Sequence, residues 1–586
     1  MKPDPEQLEA IGHPTSTVVL AGPGSGKTYT LVEKVSYLTQ HIVPAPFAVA
    51  CITLSNDAVT EFTTRLQRQG IRPGRNLFLG TLHSFCLTRV IKPYGHLVGV
   101  QTVNDRKVLN KMSCLSLLQT VLDEESVNEQ ARWFTTTLRK IRMDIACNGD
   151  LSAYDERHVQ VAKKYMELLN EQQTIDFESM TIEALNILEA NPSVRDLIAS
   201  RFSWIVVDEY QDLGGVLHRI ILLLKSSGVK IFAVGDPDQS IFGFNGAKPT
   251  MVNELEQLNG FHSVRLKYNY RSGPNLLEAA ASVLNTDSEQ EPSPSIESPG
   301  QVKLIECSPG LDTQAKYLAT DTIPDLLETG VSHHKIAVLY PQKGILLDSL
   351  KKALEETEIP FRIEREETFP SSPIIKWLQR CAAYNLSSSP ERSEPISNLF
   401  VPYSLLAQEA GFTQLESRLS LSSAITKSIL PDLALSSWLR KIADELNLIE
   451  MLKLSGRLDE AEDIETLKTN YGSTGIADFA KTIEAEGEVV VTTYHSSKGR
   501  QFDAVLLPGL QNTLVPRTRW NPRNKALETN DMNEERRLFY VALTRARHSA
   551  HLCYSSSFSN KNGYLVSGRS VFVDEIAKAL NSSFSS

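Results

Sequence analysis

Residues 18–31 read Val-Val-Leu-Ala-Gly-Pro-Gly-Ser-Gly-Lys-Thr-Tyr-Thr-Leu: a β-branched run, a glycine-rich turn, then residues at helical spacing. A strand that feeds a helix through such a turn points successive backbone N–H groups at one place, and the positive end of the helix adds to them, so the segment is suited to cradle phosphate. In this reading Gly24 and Gly26 let the backbone approach phosphate oxygens, Lys27 sets its charge against the β and γ phosphates, and Thr28 holds Mg²⁺. Ala21, Gly22, Pro23 and Ser25 complete the loop, with Ala21 standing where the usual pattern has glycine. A bare glycine turn into a helix is the weaker alternative.

A phosphate loop of this kind needs a parallel sheet behind it. Short β-branched runs followed by a turn and a helical pattern recur at 17–20, 48–54, 204–207, 231–234, 489–492 and 504–507, which predicts an α/β architecture with parallel sheets. Residues 202–212 form an apolar strand that ends in adjacent carboxylates, placed at the strand end where α/β sheets bind ligands. Asp208 is predicted to bind Mg²⁺ and Glu209 to act as general base on an attacking water. Two separate parts of one nucleotide site are therefore present.

At 586 residues the chain is too long for one core, and about three to five domains are expected. Its longest apolar runs, such as 220–224, fall far short of the ~20 residues of a membrane span, and the N-terminus lacks a signal-like apolar stretch, so a cytoplasmic protein with no membrane contact is expected. The seven cysteines form no C-x-x-C pair, which speaks against a zinc knuckle or iron–sulfur cluster. A net charge of −10 speaks against coating of nucleic acid by bulk attraction but is compatible with a local basic groove. Residues 108–171 and 386–486 show helical spacing, the first with Leu109, Met112, Leu115 and Leu118 expected on one face; 285–300 reads as a solvated surface loop.

Further segments stand in a fixed order: Asp-Pro-Glu-Gln-Leu at 4–8, Gly-Thr-Leu-His-Ser-Phe-Cys at 80–86, Val-Gly-Asp-Pro-Asp-Gln-Ser-Ile-Phe-Gly-Phe-Asn-Gly-Ala at 234–247, Asn-Tyr-Arg-Ser at 269–272, Thr-Tyr-His-Ser-Ser-Lys-Gly-Arg-Gln-Phe-Asp at 493–503, and Glu-Glu-Arg-Arg-Leu-Phe-Tyr-Val-Ala-Leu-Thr-Arg-Ala-Arg at 534–547. They resemble the Q motif and motifs Ib, III, IV, V and VI of the UvrD/Rep branch of superfamily 1 helicases, across residues 7–554. The resemblance implies two RecA-like parallel-sheet P-loop lobes, each carrying a mainly helical insertion, with ATP and Mg²⁺ between them. By its motifs the first lobe covers 1–88 and 175–268 around an insertion at 89–174. The second covers 269–385 and 487–580 around a shortened insertion at 386–486, with a disordered tail at 581–586.

The resemblance further implies an ATP-dependent DNA helicase that moves 3′-to-5′ on single-stranded DNA, separates strands at single-strand/duplex junctions and hydrolyses ATP to ADP and phosphate. Carried over by position, Gln7 reads the adenine, Tyr270 stacks on it and Gln501 stands at a position near the ribose. Arg271 and Arg545 reach the γ-phosphate from the far lobe and Gln239 senses it, so Arg545→Ala is expected nearly to abolish hydrolysis with the fold intact. Phe242 and Phe244 match base-stacking positions, and His83, Thr493 and His495 match positions that touch the strand's backbone. Repair, replication restart, plasmid maintenance and antiphage defence would all use such an engine.

The chain departs from the family pattern at Leu54, where a stacking phenylalanine is usual, at Asn245 and Tyr29, where basic residues are common, and at Gln501, where a glutamate is usual. These departures touch the coupling of hydrolysis to stepping rather than hydrolysis itself. With the short second insertion, they lead to the expectation that unwinding needs a second copy of the chain or a partner such as a nuclease. The alternative reading is a DNA-stimulated ATPase switch that senses DNA ends and regulates a partner nuclease without processive unwinding.

Overall fold

A computed structural model describes residues 2–98, 107–109, 111–241, 243, 249–286, 290–363, 369–370, 372–387, 395–412, 414–425, 433–472, 474–481, 487–521, 526–529, 531–559 and 565–583. The first sheet is built from β1 (Ser16–Ala21), β2 (Ala48–Thr53), β3 (Leu77–Thr81), β4 (Phe202–Val207), β5 (Lys230–Gly235) and β6 (Phe261–Leu266), in the spatial order β3-β2-β4-β5-β1-β6. Every pairing in it is parallel. β1 and β2 are buried along their whole length, as parallel strands covered by helices on both faces must be. Side-chain alternation then divides the strand between two cores: Val18 and Leu20 enter one, Val19 and Ala21 the other. Helix α1 (Pro5–Gly12) precedes β1, and α2 (Lys27–Tyr37) follows it through the phosphate loop. Asp208 follows β4, so loop and acid leave the same C-terminal edge of the sheet with β5 between them.

The second sheet contains β7 (Gln301–Cys307), β8 (Ile336–Tyr340), β9 (Phe361–Ile363), β10 (Val489–Thr493), β11 (Phe502–Leu507) and β12 (Ala546–Ser555), ordered β7-β12-β11-β8-β10-β9 and again wholly parallel. Ala337 and Leu339 face one core, Val338 and Tyr340 the other. The two lobes are therefore both three-layered α/β units, as expected from the spacing of the strand-like runs.

Between β3 and β4 the chain forms α3 (Lys111–Glu124), α4 (Ala131–Ala146) and α5 (Glu156–Glu171), which share a separate core around Leu118, Phe134, Ile141 and Tyr165. Buried Arg142 of α4 is held by Asp176 through hydrogen bonds of 2.7 and 2.9 Å, which ties the helices back to the first lobe. The expected apolar row of this insertion is corrected at Met112, which is 68% exposed while Leu118 is buried. Steps of three residues turn about 300° instead of a full turn, so such a row drifts off the buried face. Between β9 and β10 a second set of helices packs around Trp377, Trp438 and Phe479.

Residues 285–300 are not simply a solvated loop either. Ser293 is buried and its N–H donates to Asn269 O at 2.8 Å, while Glu291 N donates to Lys267 O at 2.9 Å, so this polar segment is laid against the chain that leaves β6. Its composition reports what it can expose, not where it is laid. The last helix, Val571–Ser583, runs into the stretch expected to be a disordered tail. Among the described residues no helix is long and apolar enough to cross a membrane.

Candidate active site

The phosphate loop is shaped by Gly24 and Gly26, whose φ angles of +75° and +83° lie in the left-handed region that side chains disfavour. Gly26 caps α2 with no side-chain acceptor, so the first N–H groups of an eleven-residue helix point into the loop without an intrahelical partner. Ser25 Oγ donates to Gly22 O at 2.7 Å and braces the turn. Lys27 Nζ is buried and makes no hydrogen bond to the described residues. Gln7, fully buried in α1, donates from Nε2 to Ser25 O at 3.2 Å and accepts the Asp4 N–H at Oε1, so both ends of the expected adenine reader are already engaged. One lone pair and one N–H of its amide remain for a ligand.

Asp208 and Glu209 stand opposite the loop. Glu209 takes a left-handed φ of +49°, an uncommon backbone for a glutamate, and its Oε2 accepts Gln211 Nε2 at 2.5 Å. Burial, and then the charge of Glu209, push the Asp208 carboxyl up to about 7. For Glu209 burial acts in the same upward sense but is overcome by the cations Lys27, Lys498 and Arg545 and by the Gln211 hydrogen bond, which hold it down to about 2. A buried ammonium that makes no hydrogen bond to the described residues, and a carboxyl that burial and the neighbouring Glu209 charge hold back from ionising even with Lys27 close by, are the complementary halves of a site that would take a magnesium-bound triphosphate.

The second lobe closes on this edge. Tyr270 N donates to Gly24 O at 2.8 Å and Asn269 Nδ2 to Pro23 O at 2.6 Å; a Cβ added at Gly24 would lie 2.7 Å from Asn269 Oδ1 and 2.8 Å from Arg271 Cβ. Arg271 Nη1 is anchored on Thr544 O at 2.9 Å, and its Nε is buried without a hydrogen bond. Arg545 is 2% exposed, and its Nη2 donates to Gln239 Oε1 at 3.3 Å while Gln239 Nε2 donates to Asp236 Oδ2 at 2.5 Å. Burial pushes Arg271 down to about 9, helped by Arg545 and Arg547, and Arg545 down to about 10, with Glu209 pulling both back up; both stay charged at neutral pH. The structure thus brings Lys27, Asp208, Glu209, Gln239, Arg271 and Arg545 to one cleft.

Residues that sequence reasoning did not single out complete that cleft. Lys498 Nζ lies 2.6 Å from Asp212 Oδ2 and 2.5 Å from Gln239 O, and Arg537 Nε donates to Ser240 O at 2.9 Å. Three second-lobe cations therefore converge on residues 239–240 of the first lobe. Both Lys498 and Arg537 lie inside motif-like segments, yet nothing local marks which of their neighbours they meet. Gln290 is a further omission: a Cβ at Gly22 would fall 2.6 Å from its Cδ.

A scan of family models matches the UvrD/REP helicase N-terminal domain over residues 3–259 and the UvrD-like helicase C-terminal domain over 264–378 and 441–557. The chain belongs to the UvrD/Rep helicase family. Among curated relatives it is 24% identical, over 94% of its own length and 83% of theirs, to the ATP-dependent DNA helicase PcrA of Staphylococcus aureus (strain Mu50). It is also 24% identical to the PcrA of Staphylococcus epidermidis (strain RP62A), over 92% and 82% of the two chains. The match of the C-terminal model is interrupted at 379–440, within the helices between β9 and β10.

The residues matched to DNA contacts in UvrD-like helicases are spread more widely. Phe242 and Phe244, with Asn245, lie outside the described residues. The half-buried His83 ring packs 4.9 Å from Phe177, and burial, joined by Arg139, lowers its pKa against the pull of Glu178, which keeps the imidazole neutral. Thr493 Oγ1 accepts the Ser496 N–H at 3.2 Å in a turn after β10 that also carries His495, while Gln501 and Leu54 are exposed.

The Lys498–Asp212 pair yields a direct test, since the two side chains are only 9% and 2% exposed. Burial already pushes the Asp212 carboxyl up to about 7, so Lys498→Met leaves an orphaned charge chiefly above that pH, and at about pH 9 it is expected to destabilise the chain by about 3 kcal/mol. Adding Asp212→Asn removes the orphaned charge and restores at least half of that loss in a thermal melt. A double variant no more stable than the single would mean that the pair carries no interlobe weight.

Proposed function

We propose that this chain is an ATP-dependent DNA helicase that hydrolyses ATP to ADP and phosphate while moving 3′-to-5′ on single-stranded DNA and separating strands. The observation that carries the reading is the arrival of Arg271 and Arg545, from the second lobe, at the edge of the first lobe that holds Lys27 and Glu209. A catalytic set divided between two bodies is complete only when they close, so hydrolysis and lobe motion are coupled.

Within that reading Lys27 and the N–H groups that open α2 would bind the β and γ phosphates, and Thr28 and Asp208 would hold a magnesium ion, which would supply positive charge to the phosphates. Glu209, kept ionised by the surrounding cations, takes the proton of the attacking water. Arg271 and Arg545 stabilise the charge that develops on the transferred group, as rigid forks that never deprotonate at working pH. Gln239 sits between Arg545 and Asp236, where it relays the state of the phosphate end to the segment that continues towards Phe242 and Phe244. Polarity, the base-stacking role of those two phenylalanines and the backbone role of His83, Thr493 and His495 rest on family membership, as does the division into lobes 1–88 with 175–268 and 269–385 with 487–580.

Phosphate release measured with single-stranded DNA, duplex DNA and RNA, followed by streptavidin displacement from each end of a biotinylated strand, tests the proposal. Single-stranded DNA is expected to stimulate hydrolysis most, and streptavidin is expected to leave the 5′ end. Stimulation without displacement from either end would replace this reading with the ATPase switch that regulates a partner nuclease.

A further inference from the structure

Asp4 stands at the N-terminus of α1 and uses its two oxygens in different directions. Oδ1 accepts the Gln7 N–H at 2.7 Å, and Gln7 Oε1 accepts the Asp4 N–H at 3.2 Å, which closes a capping box. Oδ2 accepts the hydroxyl of Tyr270 at 2.8 Å, from a residue 266 positions away. Helix capping needs only the first of these bonds. Tyr270 belongs to the segment whose next residues are fixed to the second lobe, Arg271 on Thr544 O and Ser272 on Ala546 O. Gln7 Nε2 in turn donates to Ser25 O. A continuous path therefore runs from the Tyr270 hydroxyl through Asp4 and Gln7 to the phosphate loop.

We propose that Asp4 is a positioning residue for the nucleotide: it fastens the Tyr270 ring, carried by the second lobe, to α1 and through α1 to the phosphate loop, so that docking of a purine against that ring and closure of the cleft become one event. The inference rests on the ATP-hydrolysing reading above. Burial, then the hydrogen bond and charge of Asp4, raise the Tyr270 pKa, so the hydroxyl remains a donor throughout the working range. The carboxylate makes this a charge-assisted bond between lobes, stronger than a neutral one.

Two substitutions isolate it. Asp4→Ser keeps a capping oxygen and the capping box with Gln7 but lacks the second oxygen, and Tyr270→Phe keeps the ring but lacks the donor. Each is expected to raise the KM for ATP and the Kd for a fluorescent ADP about tenfold with kcat within about twofold, and the double variant is expected to be no worse than either single one. A merely structural role would instead lower the melting point and kcat together. KM values within about twofold of the parent, or effects that multiply in the double variant, overturn the inference while leaving the ATP reading intact. A parent protein that binds no ADP overturns both.

Discussion

Lys27→Ala is expected to lower kcat for ATP hydrolysis by roughly 10² to 10³-fold while the melting point stays within a few degrees of the parent. The two outcomes separate because Lys27 Nζ is buried yet makes no hydrogen bond to the described residues, so its removal breaks none among them. What is lost is its attraction for Asp208 and Glu209, to both of which it is a lowering influence. Asp208, already pushed up to about 7, absorbs that loss by taking a proton instead of unfolding its strand. Phosphate release and differential scanning fluorimetry on the same preparation read the pair. A kcat within threefold of the parent would remove Lys27 from the chemistry, and a melting point lower by ten degrees would make it a structural cation.

The parts of this cleft that were legible in the sequence are those written in contiguous residues. β1, the two left-handed glycines and Lys27 follow one another, so a strand, a turn and a helix start can be read as one object. The same holds for β4 and the acids that follow it. The capping box at Asp4 and Gln7 was equally local, and its spacing could have warned that the Gln7 amide is engaged by its own helix as well as open to a base. Lys498 and Arg537 were illegible for a different reason. Their partners, Asp212, Gln239 and Ser240, lie 286, 259 and 297 positions away, and only the placement of one lobe on the other decides that they meet. Gln290 was hidden by the polarity of its surroundings, because a serine- and glutamate-rich stretch reads as solvent-facing even where one side chain reaches Gly22. The period of three that placed Met112 on a buried face failed because it is not the period of a helix.

Arg545→Ala is expected to cost about 10³ to 10⁵-fold in kcat, the range of an arginine that stabilises phosphoryl transfer, and also to lower stability. The second half revises the expectation that the fold would stand unchanged. Arg545 is 2% exposed and donates to Val541 O at 2.9 Å, Arg500 O at 3.3 Å, Thr544 Oγ1 at 3.1 Å and Gln239 Oε1 at 3.3 Å, so alanine leaves a cavity and unpaired acceptors between α6 (Met532–Leu543), the β10–β11 turn and the first lobe. Arg545→Lys separates the two roles. The ammonium keeps the charge and fills most of the volume, which recovers stability, but it cannot span Val541, Arg500 and Gln239 at once and lacks the planar fork that a phosphate oxygen would share. Its kcat is expected to stay at least about a hundredfold below the parent while its melting point returns most of the way. The bond to Gln239 matters here because at 3.3 Å it joins a cation to a neutral acceptor, and an anionic oxygen brought into the cleft offers the same guanidinium a stronger partner. Phosphate release and thermal melts on the two variants decide the matter: a lysine variant with near-parent kcat would show that charge alone suffices, and an alanine variant with near-parent kcat would remove Arg545 from the reaction altogether.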